Sequence, residues 1–256
     1  MGCLSQFILF FLVIPFLWNH VIAPLILSKR ERSAKGEKFP FTGSSSPREC
    51  YLSLLMPLLA KIAKADGRIT EEEIAKIEHI FDELRLTRDE RLFAQRCFNT
   101  AKTSPLRFEA FASRFAQANY DFEVRLLTFQ FMVHVAGSDS HLSDTERQFL
   151  AYAGLLFGIP REIIVNLLRP FTRGGADHAH QSRSYTSAPR PQRADDLALL
   201  GLKKQATAEE IKKAYRQKVK ELHPDRLQAQ GLPEAMIQQA TERMAAINAA
   251  YDRLTK

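Results

Sequence analysis

Residues 207–226 read TAEEIKKAYRQKVKELHPDR, and this stretch decides the fold of the C-terminal quarter of the chain. Ile211, Ala214, Tyr215, Val219 and Leu222 recur at three- and four-residue spacing, so they line one face of a helix. Thr207 stands where an N-cap belongs, and Glu209 and Glu210 suit the positive end of the helix dipole. Up to Leu222 the stretch also holds five Lys or Arg and three Glu, which by itself describes a solvated face. Pro224 disfavours helical backbone at His223, so the helix ends near Leu222.

Working outward, Ile237, Ala240, Met244, Ile247, Tyr251 and Leu254 form a second apolar stripe on a helix expected from Pro233–Glu234 to Leu254. Two such stripes joined by a loop predict an antiparallel hairpin, with 223–232 as the connection. A short helix over Asp195–Leu200 precedes it, closed by Gly201 as the C′ residue. His223 beside Asp225 brings acid–base chemistry to mind, but no nucleophile or third member accompanies the pair. No G-x-x-x-x-G-K-[ST] phosphate loop occurs. The expectation is therefore a non-enzyme without a cofactor, a catalytic residue or a metal site.

Leu200-Gly201-Leu202, Glu210-Ile211-Lys212-Lys213-Ala214-Tyr215-Arg216, His223-Pro224-Asp225-Arg226 and Ile247-Asn248-Ala249-Ala250-Tyr251 resemble a DnaJ-type J domain in order and spacing. That resemblance implies a co-chaperone that docks on a DnaK-type chaperone and accelerates its ATP hydrolysis. It implies that Asp225 engages an arginine of the partner, that Pro224 holds the loop shape and that His223 orients it. It also implies contacts from Lys212, Tyr215 and Arg216 with an acidic surface, where Lys213, Lys220 and Arg226 add charge. Two positions depart from the pattern. Leu197 replaces an aromatic residue, and Lys218 occupies a normally apolar position, where its stem is expected to lie along the hairpin with the amine in water. No Gly/Phe-rich segment and no CxxC repeat occurs, so client choice is left to the middle of the chain or to location.

The middle region, 47–171, reads as all helix. Pro47 after Ser46 marks a start, and Pro57 is expected to kink or break that first helix. Apolar periods cover about 71–84, 88–101, 105–117, 120–136, 144–157 and 161–168. A weak repeat relates ADGRITEEE, residues 65–73, to SDSHLSDTE, residues 138–146. Thr70 with Glu73 and Ser143 with Glu146 read as capping boxes, which favours two helix starts over a cation site built from Asp66, Glu73, Asp139 and Glu146. Lys64–Glu73 resembles the characteristic stretch of the tellurite-resistance TerB-like helical domain, which implies a seven-helix bundle with no settled activity.

The N-terminal stretch QFILFFLVIPFLWNHVIAPLIL, residues 6–27, carries no Asp, Glu, Lys or Arg and would reach about 33 Å as a helix, enough to cross a bilayer. The alternative, a cleaved signal peptide, lacks a basic n-region and a small-x-small cleavage site. Lys29, Arg30, Arg32, Lys35 and Lys38 follow the span, placing the bulk of the chain in the cytoplasm by the positive-inside rule. Asn19 and His20 suit either helix–helix hydrogen bonds, as in a homodimer through the span, or solvation at an interface. Three cysteines without a CxxC pair fit a reducing compartment.

The expected organisation is all-α: an anchor at 1–28, a juxtamembrane linker at 29–46, the TerB-like bundle at 47–171, a Gly/Pro/Ser/Arg-rich linker at 172–194 and the J domain at 195–256. That order resembles the DjlA family of membrane DnaJ-like proteins and implies the inner membrane of a bacterium, with the N-terminus outside. A membrane scaffold acting through the TerB-like region is the alternative. The formal charge of +7 suits nucleic acid, anionic lipid or an acidic protein, and an acidic protein partner is expected here, not nucleic acid.

Overall fold

The computed structural model describes residues 46–64, 78–137, 142–171 and 192–255. Among them every regular element is helical and no strand occurs. The apolar stretch 6–27, and Asp66, Thr70, Glu73 and Asp139 of the repeat, lie outside the described residues. No helix among the described residues is long and apolar enough to cross a membrane.

Helix α1 (Pro47–Ala63) starts at Ser46, whose hydroxyl accepts from the Glu49 N–H at 3.1 Å. It runs unbroken through Pro57, so of the kink or break expected there the break does not occur. One missing N–H does not end a helix buried along most of its length, here through Tyr51, Leu52, Leu55, Met56, Leu58 and Leu59. Described helical residues 78–83 form α2. Then come α3 (Arg88–Thr103), α4 (Phe108–Ala116), α5 (Phe122–Ala136), α6 (Asp144–Leu156) and α7 (Arg161–Leu168). The observed starts and ends lie within a few residues of the apolar periods in the sequence.

Glu146 closes the capping box at the start of α6: its carboxylate accepts from the Ser143 N–H and hydroxyl, each at 2.9 Å. The second copy of the repeat is thus a helix start. Tyr51, Phe115, Phe129 and Phe157 fill the centre of the bundle, with Phe115 edge-on to Tyr51 and tilted against Phe157. Helix α5 buries Val124, Leu126, Leu127, Phe129, Phe131 and Met132, an apolar set on more than one side of the helix. Neighbours must therefore cover it on several sides, and one of them is the C-terminal module.

That module consists of α8 (Gln192–Leu199), α9 (Ala208–Glu221), α10 (Pro224–Ala229) and α11 (Glu234–Thr255). Helix α8 begins three residues before the expected Asp195, which puts Asp195 and Asp196 inside it. Gly201 takes φ +76°, and Leu202 N–H bonds back to the Leu197 carbonyl at 2.8 Å, ending α8 as its C′ glycine predicts. Helices α9 and α11 pair through Ile211, Leu222, Ile247 and Ala250, with the Tyr215 and Tyr251 rings stacked at 4.0 Å. Arg253 forks onto Asp196 at 3.0 and 2.6 Å and ties α8 to the end of α11.

The module packs directly on the bundle through α1 and α5. Gly231, at φ +83°, ends α10 against the start of α1; a Cβ there would sit 2.0 Å from the Pro47 carbonyl oxygen. Glycine is required both by the backbone angle and by this approach. Beside it Leu232 and Met236 are buried, and the Tyr51 hydroxyl lies 3.2 Å from the Met236 sulfur.

Candidate functional site

The HPD triplet is more ordered than a loop. Leu222 caps the end of α9, and the chain turns straight into α10. His223 is the N-cap of that short helix, with extended backbone at φ −63°, ψ 129°, and Pro224 takes the first helical position. The His223 Nδ1 accepts from the Asp225 N–H at 3.3 Å, which leaves the proton of a neutral ring on Nε2. Each residue of the triplet therefore has a local task in holding the turn. The Asp225 carboxylate is left over: its side chain is 87% exposed, 3.7 Å from His223 Nδ1.

Upstream, α9 is anchored by a capping box. The Thr207 hydroxyl accepts from the Glu210 N–H at 3.3 Å, and the Glu210 carboxylate accepts from the Thr207 N–H at 2.8 Å. The Thr207 N–H, and with it the Thr207 hydroxyl, donates to the Glu210 carboxylate and holds that carboxyl below its ordinary range. Lys212 and Arg216, one helical turn apart, are exposed on this helix. Tyr215, Arg216, Val219, Lys220, His223, Asp225 and Arg226 line a shallow groove of about 470 Å³. Six of the nine residues expected from the sequence, Tyr215, Arg216, Lys220, His223, Asp225 and Arg226, thus share one groove. Pro224 shapes the groove's end through the backbone, and Lys212 sits one turn beyond Arg216.

Three cations of the module pair with carboxylates of the bundle, and one of them, Arg226, also lines the groove. Arg226 Nε and Nη2 fork onto Asp121 at 2.5 and 2.9 Å, and Gln230 Nε2 donates to the same carboxylate at 2.5 Å. The Arg226 hydrogen bond, more than its charge, holds the Asp121 carboxyl below the usual range, and it pushes the arginine up in turn. Lys218 Nζ lies 2.5 Å from the fully buried Glu123, and its side chain is only 14% exposed. The expected wet amine is therefore corrected: α9 turns Lys218 toward the bundle, where a buried carboxylate needs a cation. Arg243 Nε of α11 lies 3.2 Å from the other Glu123 oxygen, an ion pair without hydrogen-bond alignment.

Asp121 and Glu123 carried no sign of this in the sequence, where they read as ordinary acids at a helix start. Asp121 does occupy the N-cap position of α5, yet its carboxylate makes no capping bond. It is committed to a residue 105 positions away.

Comparison with known proteins gives two family matches: residues 53–167 match the tellurite resistance protein TerB, and residues 197–256 match the DnaJ domain. Three relatives are each described as Co-chaperone protein DjlA. The one from Photobacterium profundum is 31% identical over 207 residues, covering 78% of this chain and 74% of the relative. The one from Vibrio cholerae is 30% identical over 222 residues, covering 82% and 78%. The one from Photorhabdus laumondii is 30% identical over 249 residues, covering 93% and 91%. No solved structure matches the chain significantly.

Proposed function

The chain belongs to the DjlA family of co-chaperones, with a TerB domain followed by a DnaJ domain, and from that premise we propose that its C-terminal hairpin docks on a DnaK-type chaperone and accelerates that partner's ATP hydrolysis. The observation that carries the reading is the Asp225 carboxylate, exposed at the end of a basic groove on a turn that His223 and Pro224 hold in shape. A carboxylate presented this way suits a charge-assisted pair with an arginine of the partner. Asp225 makes that pair; His223 caps the turn and Pro224 fixes its entry. Lys212, Tyr215, Arg216 and Arg226 meet an acidic surface, giving fast, salt-sensitive and weak association. The chain itself is a regulator, and the hydrolytic chemistry belongs to the chaperone.

The membrane part of the reading rests on sequence. Residues 6–27 form a retained single-pass anchor in a bacterial inner membrane, with the basic residues after it and both helical regions in the cytoplasm. Asn19 and His20 serve a homodimer through that span. Protease added outside spheroplasts should leave the C-terminal module intact, and cleavage of that module would reverse the orientation.

The deciding experiment is single-turnover ATP hydrolysis by the DnaK-type chaperone of the same cell, with the full chain in detergent, wild-type and His223→Gln. Acceleration by the wild type and its loss in the variant is the expected result. A folded wild-type chain that leaves the rate unchanged would overturn the reading.

A further inference from the structure

We propose that the acidic start of α5 is an intrachain latch that competes with the chaperone for Arg226, so that docking of the C-terminal module on the bundle holds the co-chaperone below its full activity. The proposal rests on the chaperone-docking reading above and adds regulation to the same site.

The latch is built from one short sequence and all three helices of the hairpin. Asp121 takes Arg226 of α10 and Gln230, the C-cap of that helix four residues on. Glu123 takes Lys218 of α9 and Arg243 of α11. Thus two carboxylates, two residues apart, hold three cations and an amide from a module that begins about seventy residues later in the chain. Gly231 and Met236 close the apolar side of the contact against α1 and Tyr51.

The two carboxylates play different parts. Glu123 is buried and has no exchange partner in water, so it fixes the position of the hairpin. The Arg226–Asp121 pair lies at the edge, with side chains 38% and 20% exposed. Such a pair is weak and screened by salt, and an incoming carboxylate can take its arginine. Arg226 also lines the groove that ends at His223 and Asp225. A chaperone entering that groove finds Asp225 and Arg216 free of the bundle, whereas Arg226 is already spent on Asp121. Association must break the intrachain fork before it gains the arginine. The inhibition is graded, because the HPD turn itself stays open.

The test uses the full chain in detergent with Asp121→Ala, which removes the carboxylate without removing a capping bond. Gln230→Ala serves as a milder second variant. Two quantities are read: amide hydrogen exchange of 224–231 in the chain alone, and the chain concentration giving half-maximal acceleration of the chaperone's single-turnover hydrolysis. The expected result is faster exchange and a half-maximal concentration lowered about three-fold, with Gln230→Ala in between. Adding His223→Gln to Asp121→Ala should abolish the acceleration. Unchanged exchange would show that Asp121 does not hold α10, and would overturn the latch. Faster exchange with an equal or higher half-maximal concentration would overturn the competition while leaving the co-chaperone reading intact. Failure of every form, wild type included, to accelerate hydrolysis would sink both. The exchange data would then still show whether the contact exists.

Discussion

The two sides of the C-terminal hairpin use the same chemistry and spend it differently. On the bundle side Lys218, Arg226 and Arg243 all find carboxylates, and the acceptor Glu123 is fully buried. On the groove side Lys212 and Arg216 are exposed, and Asp225 has only its neighbour His223. A charge satisfied inside the molecule contributes to fold, and a charge left in water is available to a partner. Variants on the groove side should therefore cost activity at constant stability, and variants on the bundle side should cost stability without costing activity.

The sharpest break of that rule would come at Asp225. Asp225→Asn removes a charge-assisted bond to the chaperone of about 1.5–3 kcal/mol, roughly a ten- to hundred-fold loss in the effective concentration for acceleration. The carboxylate makes no contact with the bundle, so the urea midpoint of the full chain should not move. A shifted midpoint would mean that the side chain has a folding role that its 87% exposure hides.

On the opposite side, Glu123→Ala strands Lys218 and Arg243 in a mostly buried contact. Breaking a buried pair of this kind costs about 3 kcal/mol. Urea unfolding followed by far-ultraviolet circular dichroism should show the loss as a lowered midpoint. A chaperone assay below that midpoint should still show acceleration. If the midpoint stays put, Glu123 is not the anchor of the module, and the division between the two sides fails at its strongest point.

The difference between the sides also marks what the sequence made legible. The apolar stripes of α9 and α11 repeat every three or four residues, so local spacing was enough to predict the hairpin, while its groove-side residues followed from the resemblance of its motifs to a DnaJ-type J domain. The same spacing left 223–232 as a connection, yet Pro224–Ala229 is a helix. Six residues with a single buried apolar side chain, Leu227, are too few to show a period. The two meanings of Pro224 also overlap: it excludes helix at His223 and favours helix after itself. Lys218 was misjudged because its partner, Glu123, lies 95 positions away, and nothing in either neighbourhood announces the other. Bundle helices α3 to α7 were legible for the reason α9 was. The docking of one module on the other was not, since it depends on a glycine, two carboxylates and a methionine that each have ordinary local roles.

The smallest expected effect concerns pH and tests the satisfied carboxylates by titration. Hydrogen bonds from Arg226 and Arg253 hold the Asp121 and Asp196 carboxyls below their ordinary value in the folded chain. A carboxyl depressed on folding stabilises the folded state above its unfolded pKa, about 3.9, and that stabilisation is lost as pH falls through the folded value. Near pH 6 both pairs are intact, so the wild type should have a higher urea midpoint than Asp121→Asn. As pH falls below about 3.9 the carboxyl of the unfolded wild type takes up a proton before the folded one does, whereas the amide has nothing to titrate, so the gap should narrow. Asp196→Asn should behave the same way through the α8–α11 tie, with no change in exchange at 224–231. A gap for Asp121→Asn that stays constant down to pH 3 would mean that Arg226 and Asp121 hold each other by shape and not by charge, and would remove the electrostatic ground for calling the bundle side the satisfied one.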